Sequence, residues 1–290
     1  MRRTSSLIAS LLLTLPGLAQ ARVVPVSPAT LASAIATARG GDTLKLAPGA
    51  YGEINFAKRE FTPALTLDAS DAQLTALNVM RSAGVTLRGG TITVGNRLGY
   101  GISVRASQRV GIYNVRLVGM KRGIVIDHSQ DLEIRNNVFS ETTIDGLNIA
   151  QSQRVNVIDN KCTSTSTGEA HPDCYQGWSR PDMITTDIVF RGNSAVGNVQ
   201  GIFFGNHVRN GVDDGGFKRI TIVNNYVRNR YPHGIALSDC EDCTVRDNDV
   251  AALPGAKFKT AINVTRTINS TLCGNKVPNV ANSPAIVRCR

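Results

Sequence analysis

Long apolar runs are what this 290-residue chain most conspicuously lacks. Beyond its N-terminal segment nothing approaches the ~20 uninterrupted apolar residues of a membrane-spanning helix, so membrane insertion is not expected. Proline is scarce at 11 residues and aromatic residues make up only 5%, while 42% of the chain is hydrophobic. That balance excludes collagen-like and disordered classes and leaves a soluble globular body. Acidic residues are also in short supply, 22 against 32 Lys and Arg, for a formal charge of +10. The excess favours an acidic partner.

What is present begins with Arg2 and Arg3, a mostly apolar run over residues 7–18, and Ala19-Gln20-Ala21. This is the pattern of a signal peptide with an A-x-A cleavage site. Residues 1–21 are therefore expected to be removed, and residues 22–290 to form one periplasmic or secreted domain. Without Arg2 and Arg3 the charge is still +8. All six cysteines, Cys162, Cys174, Cys240, Cys243, Cys273 and Cys289, lie in that exported part, where disulfides persist. Cys162 and Cys174 bracket a polar loop and are expected to pair. Cys240-Glu241-Asp242-Cys243 has the spacing of a redox or zinc pair, yet no second pair of ligands at matching spacing accompanies it.

A repeat organises the mature chain. Gly123-Ile124-Val125-Ile126 followed by Leu132-Glu133-Ile134-Arg135-Asn136-Asn137 returns as Gly146-Leu147-Asn148-Ile149 followed by Val155-Asn156-Val157-Ile158-Asp159-Asn160, and again from Gly234 and from Ala261. Asparagine closes each phrase at 137, 160, 193, 225, 248 and 275, with two adjacent units enlarged. Less regular units lie at 44–49, 65–70, 85–90 and 110–115. Each unit holds two or three short alternating strands that cannot bury their apolar sides alone, whereas stacking some ten units makes one core. Connections this short leave no room for helices between strands. The expected fold is all-β: a single-stranded parallel β-helix, one coil per unit, with the closing asparagines as a structural ladder.

The open end of such a stack needs a cover. Ser27 as N-cap, Pro28, and apolar Leu31, Ile35 and Ala38 predict a capping helix that ends at Gly40-Gly41. It runs into Gly41-Asp42-Thr43-Leu44-Lys45-Leu46-Ala47-Pro48-Gly49-Ala50-Tyr51. A capping helix followed by G-D-T-L-x-L-x-P-G-x-Y resembles the N-terminal start of right-handed parallel β-helices of the pectate-lyase-like superfamily. The resemblance covers residues from about 24 to 290 and implies that fold; uronate-polymer lyases, alginate C-5 epimerases and some hydrolases share it.

The enlarged units concentrate the chemistry. One carries His171-Pro172-Asp173-Cys174-Tyr175-Gln176-Gly177-Trp178-Ser179-Arg180. The next carries Gln200-Gly201-Ile202-Phe203, then His207, Arg209 and a polar loop through Asp213, Asp214 and Lys218. The coil after it opens with Tyr231-Pro232-His233. Aligning the phrases puts Arg122, Asp145, Asp173, Gln200 and His233 in one column, and Val125, Asn148, Gln176, Phe203, Ala236 and Asn263 in a neighbouring outward one. With coils ~4.8 Å apart, Asp173 and His233 stand ~10 Å from each other, a sugar-sized gap. Tyr175 has the phase of a core residue and Trp178 that of an outward one. His128, in an unexpanded coil, reads as ordinary surface. The set H-P-D-x-x-Q, Q-G-I-F and H-G-I resembles bacterial secreted β-helix proteins that act on polysaccharides. The D-P-H order typical of alginate epimerases is reversed here, and the regular acidic cluster of calcium-dependent pectate lyases is missing.

These residues suit β-elimination on an acidic, uronate-containing polysaccharide. The reaction needs the C5 carboxylate neutralised, a base for the C5 proton and an acid for the leaving oxygen. His171 and His233 are the expected base and acid, Asp173 orients an imidazole, and Arg180 or Arg209 meets the carboxylate with help from Gln176 and Gln200. Arg122, Asp145, Asn148, Trp178, His207 and Lys218 complete the expected substrate contacts. Hydrolysis is the main competitor, with Asp145 and Asp173 as its carboxyl pair. The same residues are also compatible with a C-5 epimerase and with a non-catalytic carbohydrate-binding β-helix. No cofactor is required by the motifs; calcium is open, since Glu169, Asp173, Asp182, Asp213 and Asp214 are suitable oxygen donors without a diagnostic spacing. A monomer is expected, with an acidic polysaccharide and no nucleic acid as partner.

Overall fold

A computed structural model describes residues 21–94, 99–164, 172–277, 280–282 and 286–287. Residues 1–20, on which the expected signal peptide falls, together with Glu169, His171 and Cys289, lie outside the described residues. Among those described, no helix is long and apolar enough to cross a membrane.

From residue 100 to 229 each coil places one strand on each of three faces. Tyr100–Arg105, Gln108–Tyr113 and Arg116–Val118 make one coil; Arg122–Asp127, Gln130–Arg135 and Val138–Ser140 make the next. Each strand pairs in parallel with its equivalent one coil away, Arg122 with Asp145 and Leu132 with Val155, so three ladders form three faces. In the first two coils one nine-residue strand, Gly49–Ala57 or Ala72–Met80, runs through the third and first faces without a break. The expected β-helix of about ten coils is what the chain forms.

Alternation sends one side of every strand inward. Ile124 and Ile126, Leu147 and Ile149, Ile202 and Phe204 line the inner side of the first face, while Val155, Val157, Ile188 and Phe190 line that of the second, all fully buried. Below the enlarged coils the filling is aromatic. Phe139, Tyr175, Phe190, Phe204 and Phe217 follow one another edge to face at 5.1–6.3 Å between ring centres. Gly177 makes room for this stack, because a Cβ there would lie 2.1 Å from the Phe204 ring. Tyr175 is core, as its phase implied, and its hydroxyl donates to the carbonyls of Asn160 and Ser194.

The corner between the second and third faces explains the closing asparagines. Asn137, Asn160, Asn193, Asn225 and Asn248 are buried, and each backbone N–H and side-chain amide donates to Oδ1 of the asparagine one coil on, at 2.8–3.1 Å. The residue before each one takes the left-handed turn: Asn136, Asp159, Gly192, Asn224, Asp247 and Gly274 have φ between 55° and 69°. Two jobs, turning and bonding, are thus divided between two neighbours. A second ladder of buried serines occupies the corner between the first and second faces. The N–H groups of Ser82, Ser107 and Ser129 donate to Oγ of Ser107, Ser129 and Ser152 at 3.1 Å.

The N-terminal cover is shorter than expected. The helix is Leu31–Thr37 with Thr30 as N-cap, and residues 27–30 form a turn in which the Ser27 N–H donates to Thr30 Oγ1. Ser27 therefore holds the turn before the helix and does not cap it. Ala38 is already extended, so the helix stops ahead of Gly40. Leu31, Ile35 and Ala38 do face the core. Arg22 closes this end through a bidentate pair with buried Asp42.

Cys162 and Cys174 are joined, with Cα atoms 5.8 Å apart. Cys240 and Cys243 are bonded to each other, which removes the zinc reading of that pair. Cys273 is disulfide-bonded as well.

Candidate functional site

Strand register settles the placement of the columns. Tyr100, Arg122, Asp145, Asp173 and Gln200 are consecutive partners on the first face. His233 follows, because Ile202 pairs with Ile235 two residues further on. The outward column Val125, Asn148, Gln176, Phe203, Ala236 and Asn263 is likewise continuous. A third column, Arg105, Asp127, Ala150 and Trp178, runs beside it.

Between these columns lies a groove of about 260 Å³ spanning four coils. Tyr100, Arg122, Val125 and Asn148 form its floor; Arg105, Asp127, Ala150 and Trp178 form its outer side, and Gln151 and Arg180 its edge. Three guanidinium groups and one carboxylate meet here, and Trp178 is 36% exposed. Each arginine is held. Arg122 Nε donates to Asp145 Oδ2 at 2.9 Å, Arg180 pairs with Asp214 at 2.9 Å and sits against the Trp178 ring, and Arg105 Nε donates to Ser103 Oγ at 3.1 Å. Asn148 donates to Gln176 Oε1 at 2.8 Å, linking two coils of the floor.

The Arg180–Asp214 pair joins two loops that leave at the same corner, residues 179–184 and 205–216. Enlargement of consecutive coils at one corner is therefore real, and it raises the edge of the groove beside Trp178. The later part of the second loop does not serve the groove. Lys218 belongs to Phe217–Val223 on the second face, where it pairs with Glu241 at 3.0 Å. His207 and Arg209 stand exposed on a small hairpin, Val208–Arg209 against Val212–Asp213, away from the groove lining. For Lys218 the cause is local: Gly215 and Gly216, both at positive φ, turn the chain back onto the second face just before it.

Asp145 and Asp173 are deeper than catalytic groups awaiting substrate, at 2% and 1% exposure. The N–H of Asp173 donates to Asp145 Oδ1 at 3.2 Å, and Asp173 Oδ1 has no hydrogen-bond partner among the described residues. Burial, followed by the neighbouring Asp145 charge, raises Asp173 well above the ordinary carboxylate range. Gln200 is buried at 4%. His233 is half-buried, accepts from Asn263 Nδ2 at 3.0 Å through Nδ1, and packs edge-on against Phe203. It stands two coils beyond Asp173, outside the groove lined by Arg105 and Trp178.

His128, expected as ordinary surface, is exposed but has neighbours in the groove lining. Its Nδ1 is 2.9 Å from Asp127 Oδ1, and Gln151 Nε2 lies 3.0 Å from its Nε2, so two groove residues bracket the ring. Asp182 of the corner loop stands 3.7 Å from Nε2 and shares the Gln151 amide. The only sequence signal was the strand register that stacks 128 on 151.

The suggested calcium donors do not converge. Asp213 accepts from Asn206 and Gly215, Asp214 pairs with Arg180, Asp182 with Gln151, and Asp173 is enclosed. Among the described residues no three His, Cys, Asp or Glu side chains gather as a metal site.

A family model described as right handed beta helix region matches residues 54–177. No curated protein sequence matches the chain. Solved structures do. A PL6 family polysaccharide lyase from Pseudopedobacter saltans aligns at 13% identity and TM-score 0.59, over 87% of this chain and 64% of that one. The Dettilon tailspike protein aligns at 12% and 0.54, over 90% and 64%. The catalytic domain of a GH87 alpha-1,3-glucanase, in complex with nigerose, aligns at 12% and 0.54, over 96% and 70%. This chain thus spans less than two thirds of the tailspike and of the lyase. At such identity the shared feature is architecture. The chain is a right-handed parallel β-helix of the pectate-lyase-like fold.

Proposed function

We propose that the first-face groove binds an acidic, uronate-containing polysaccharide and that the chain cleaves it by β-elimination. The observation that carries this reading is the convergence of Arg105, Arg122 and Arg180 with the exposed Trp178 on one groove in a chain of net positive charge. Guanidinium groups fixed in advance can take a uronate carboxylate in paired hydrogen bonds, which stabilises the charge that grows on it when the C5 proton leaves. The indole face suits a sugar ring. Gln176 and Asn148 add amide groups along the floor.

Proton transfer falls to the imidazoles. His233, with Asn263 fixing its ring, and His171 are the proposed acid and base for polymer that runs on from the groove over the next coils, and His128 with Asp127 is the imidazole nearer to the groove itself. The β-helix lyase among the structural neighbours supports the reaction class. Hydrolysis is the weaker reading, because its candidate carboxyl pair, Asp145 and Asp173, is enclosed at 2% and 1% exposure and lies outside the groove lining.

The experiment is a panel of uronate polymers incubated with the purified protein. An ultraviolet-absorbing unsaturated uronate product supports elimination. New reducing ends without that absorbance would replace it with hydrolysis, and binding unaffected by His171→Ala and His233→Ala, with no product, would leave a carbohydrate-binding protein.

A further inference from the structure

Two alanines interrupt two stacked columns at the same place. The corner column between the first and second faces reads Lys58, Arg81, Ala106, His128 and Gln151, all with φ between 45° and 54°. Each of Lys58, Arg81, Ala106 and His128 donates its N–H to the next strand in the same way. Beside it on the second face runs Glu60, Ala83, Gln108, Gln130 and Gln153. The glutamines bond in series, Gln153 Nε2 to Gln130 Oε1 at 2.9 Å and Gln130 Nε2 to Gln108 Oε1 at 3.0 Å. The series stops at Gln108, because the next member is Ala83 and offers no acceptor. Removing side chains from neighbouring sites of both columns leaves a notch of about 460 Å³.

The charge in this notch is unbalanced. Lys58 and Arg81 have no acidic partner among the described residues, and Gln108 ends with its amide donors unused. Glu60 is taken by Arg109 at 3.2 Å. Arg59 donates to the Ile35 carbonyl at 3.0 Å and lies over Phe61, which fixes a third cation at the rim. The notch therefore combines cations for a carboxylate, amides for hydroxyl oxygens and the exposed Ala106 methyl group for the face of a ring. It opens on the opposite side of the His128 ridge from the Trp178 groove.

We infer that this notch is a second, non-catalytic binding site for a uronate unit of an acidic polysaccharide, anchored by Lys58 and Arg81. Such a site would hold polymer against the protein while the groove works on another stretch, and it adds avidity without chemistry. It shares its ligand class with the groove, but binding alone tests it, so a failed cleavage assay bears only on the groove.

The test is amide NMR of the whole protein titrated with trigalacturonate, a mannuronate trimer, a neutral maltotriose control and inorganic sulfate. At least one uronate trimer should shift the signals of residues 58–60, 81–83 and 106–108, and maltotriose should not. Lys58→Gln with Arg81→Gln should weaken that response tenfold or more while shifts around Arg105 and Trp178 persist. Ala83→Gln, which extends the glutamine series into the notch, should abolish it in a protein that melts no earlier than the parent. No uronate response at 58–108, an undiminished response in the double variant, or sulfate reproducing the same shifts at equal affinity would each overturn the assignment.

Discussion

The backbone N–H of Asp173 reaches Oδ1 of Asp145 at 3.2 Å, and so ties together two carboxyl residues that hold one position on consecutive coils. Arg122 compensates Asp145 alone. Asp173, enclosed and facing that charge, is held well above the ordinary carboxylate range. With its folded pKa raised, Asp173 binds more protons folded than unfolded, so its contribution is fully present below about pH 4 and is lost as pH rises through the folded value. Asp173→Asn keeps the shape without the titration. It should be more stable than the parent at pH 7 and lose that advantage towards pH 4, as read by urea unfolding at both values; a variant equally destabilised at both would refute the burial argument.

The asparagine ladder makes a sharper stability prediction. Asn193 Oδ1 accepts from both the N–H and the side chain of Asn160, and its own amide donates to Val157 O and Asn225 Oδ1. Asn193→Ala strands two buried donors and an acceptor, at a cost of roughly 2–4 kcal/mol. Changing the exposed Asn224, which only turns the chain at φ 55°, to Gly should cost far less. Equal losses in denaturant midpoint would show that the ladder is not where the energy lies.

The Cys162–Cys174 bond closes a short loop leading into Asp173 and the Trp178 strand. Chain-entropy arguments give a loop of this length about 3 kcal/mol of stabilisation. Replacing both cysteines by alanine should lower the melting temperature and also weaken binding in the groove, since Asp173–Trp178 begins one residue before Cys174. Retained affinity in the less stable variant would separate the bridge from the site.

Much of this organisation was legible because strand register follows directly from the repeated phrase. Once Gly123, Gly146 and Gly234 are aligned, Arg122, Asp145, Asp173, Gln200 and His233 must share a column, and they do. Depth is a different matter. Asp145 and Asp173 stand two residues before the core side chains Leu147 and Tyr175, the inward phase of the alternation, a signal that aligning the columns alone does not use. Lys218 was misplaced because a loop's path after its last glycine depends on which ladder it rejoins. His128 looked isolated because its partners come from Gln151, one coil on, and from Asp182, on a loop two coils on. The serine ladder was not read either, although the spacing of Ser82, Ser107, Ser129 and Ser152 follows the coil.

The groove arginines can be told apart by what each leaves behind. Arg122→Gln abandons Asp145, which is buried, so it should cost ~2–4 kcal/mol of stability as well as affinity. Arg180→Gln releases Asp214 and with it the contact between the two corner loops, so its binding defect would mix charge with loop position. Among the described residues the Arg105 side chain is bonded only to Ser103, and it lies on an exposed strand end. Arg105→Gln should therefore leave the melting temperature nearly unchanged while weakening an acidic oligosaccharide roughly tenfold, the ~1.4 kcal/mol scale of one charge-assisted hydrogen bond. Added salt should shrink that difference, because the contact is a charge pair near solvent. Trp178→Ala should weaken acidic and neutral sugars alike, since its contribution is the ring face and not the charge. Calorimetric titration of the parent, Arg105→Gln and Trp178→Ala at two salt concentrations measures both effects. If Arg105→Gln binds as tightly as the parent at low salt, the groove does not recognise a carboxylate through its outer column, and the elimination chemistry built on it loses its electrostatic basis.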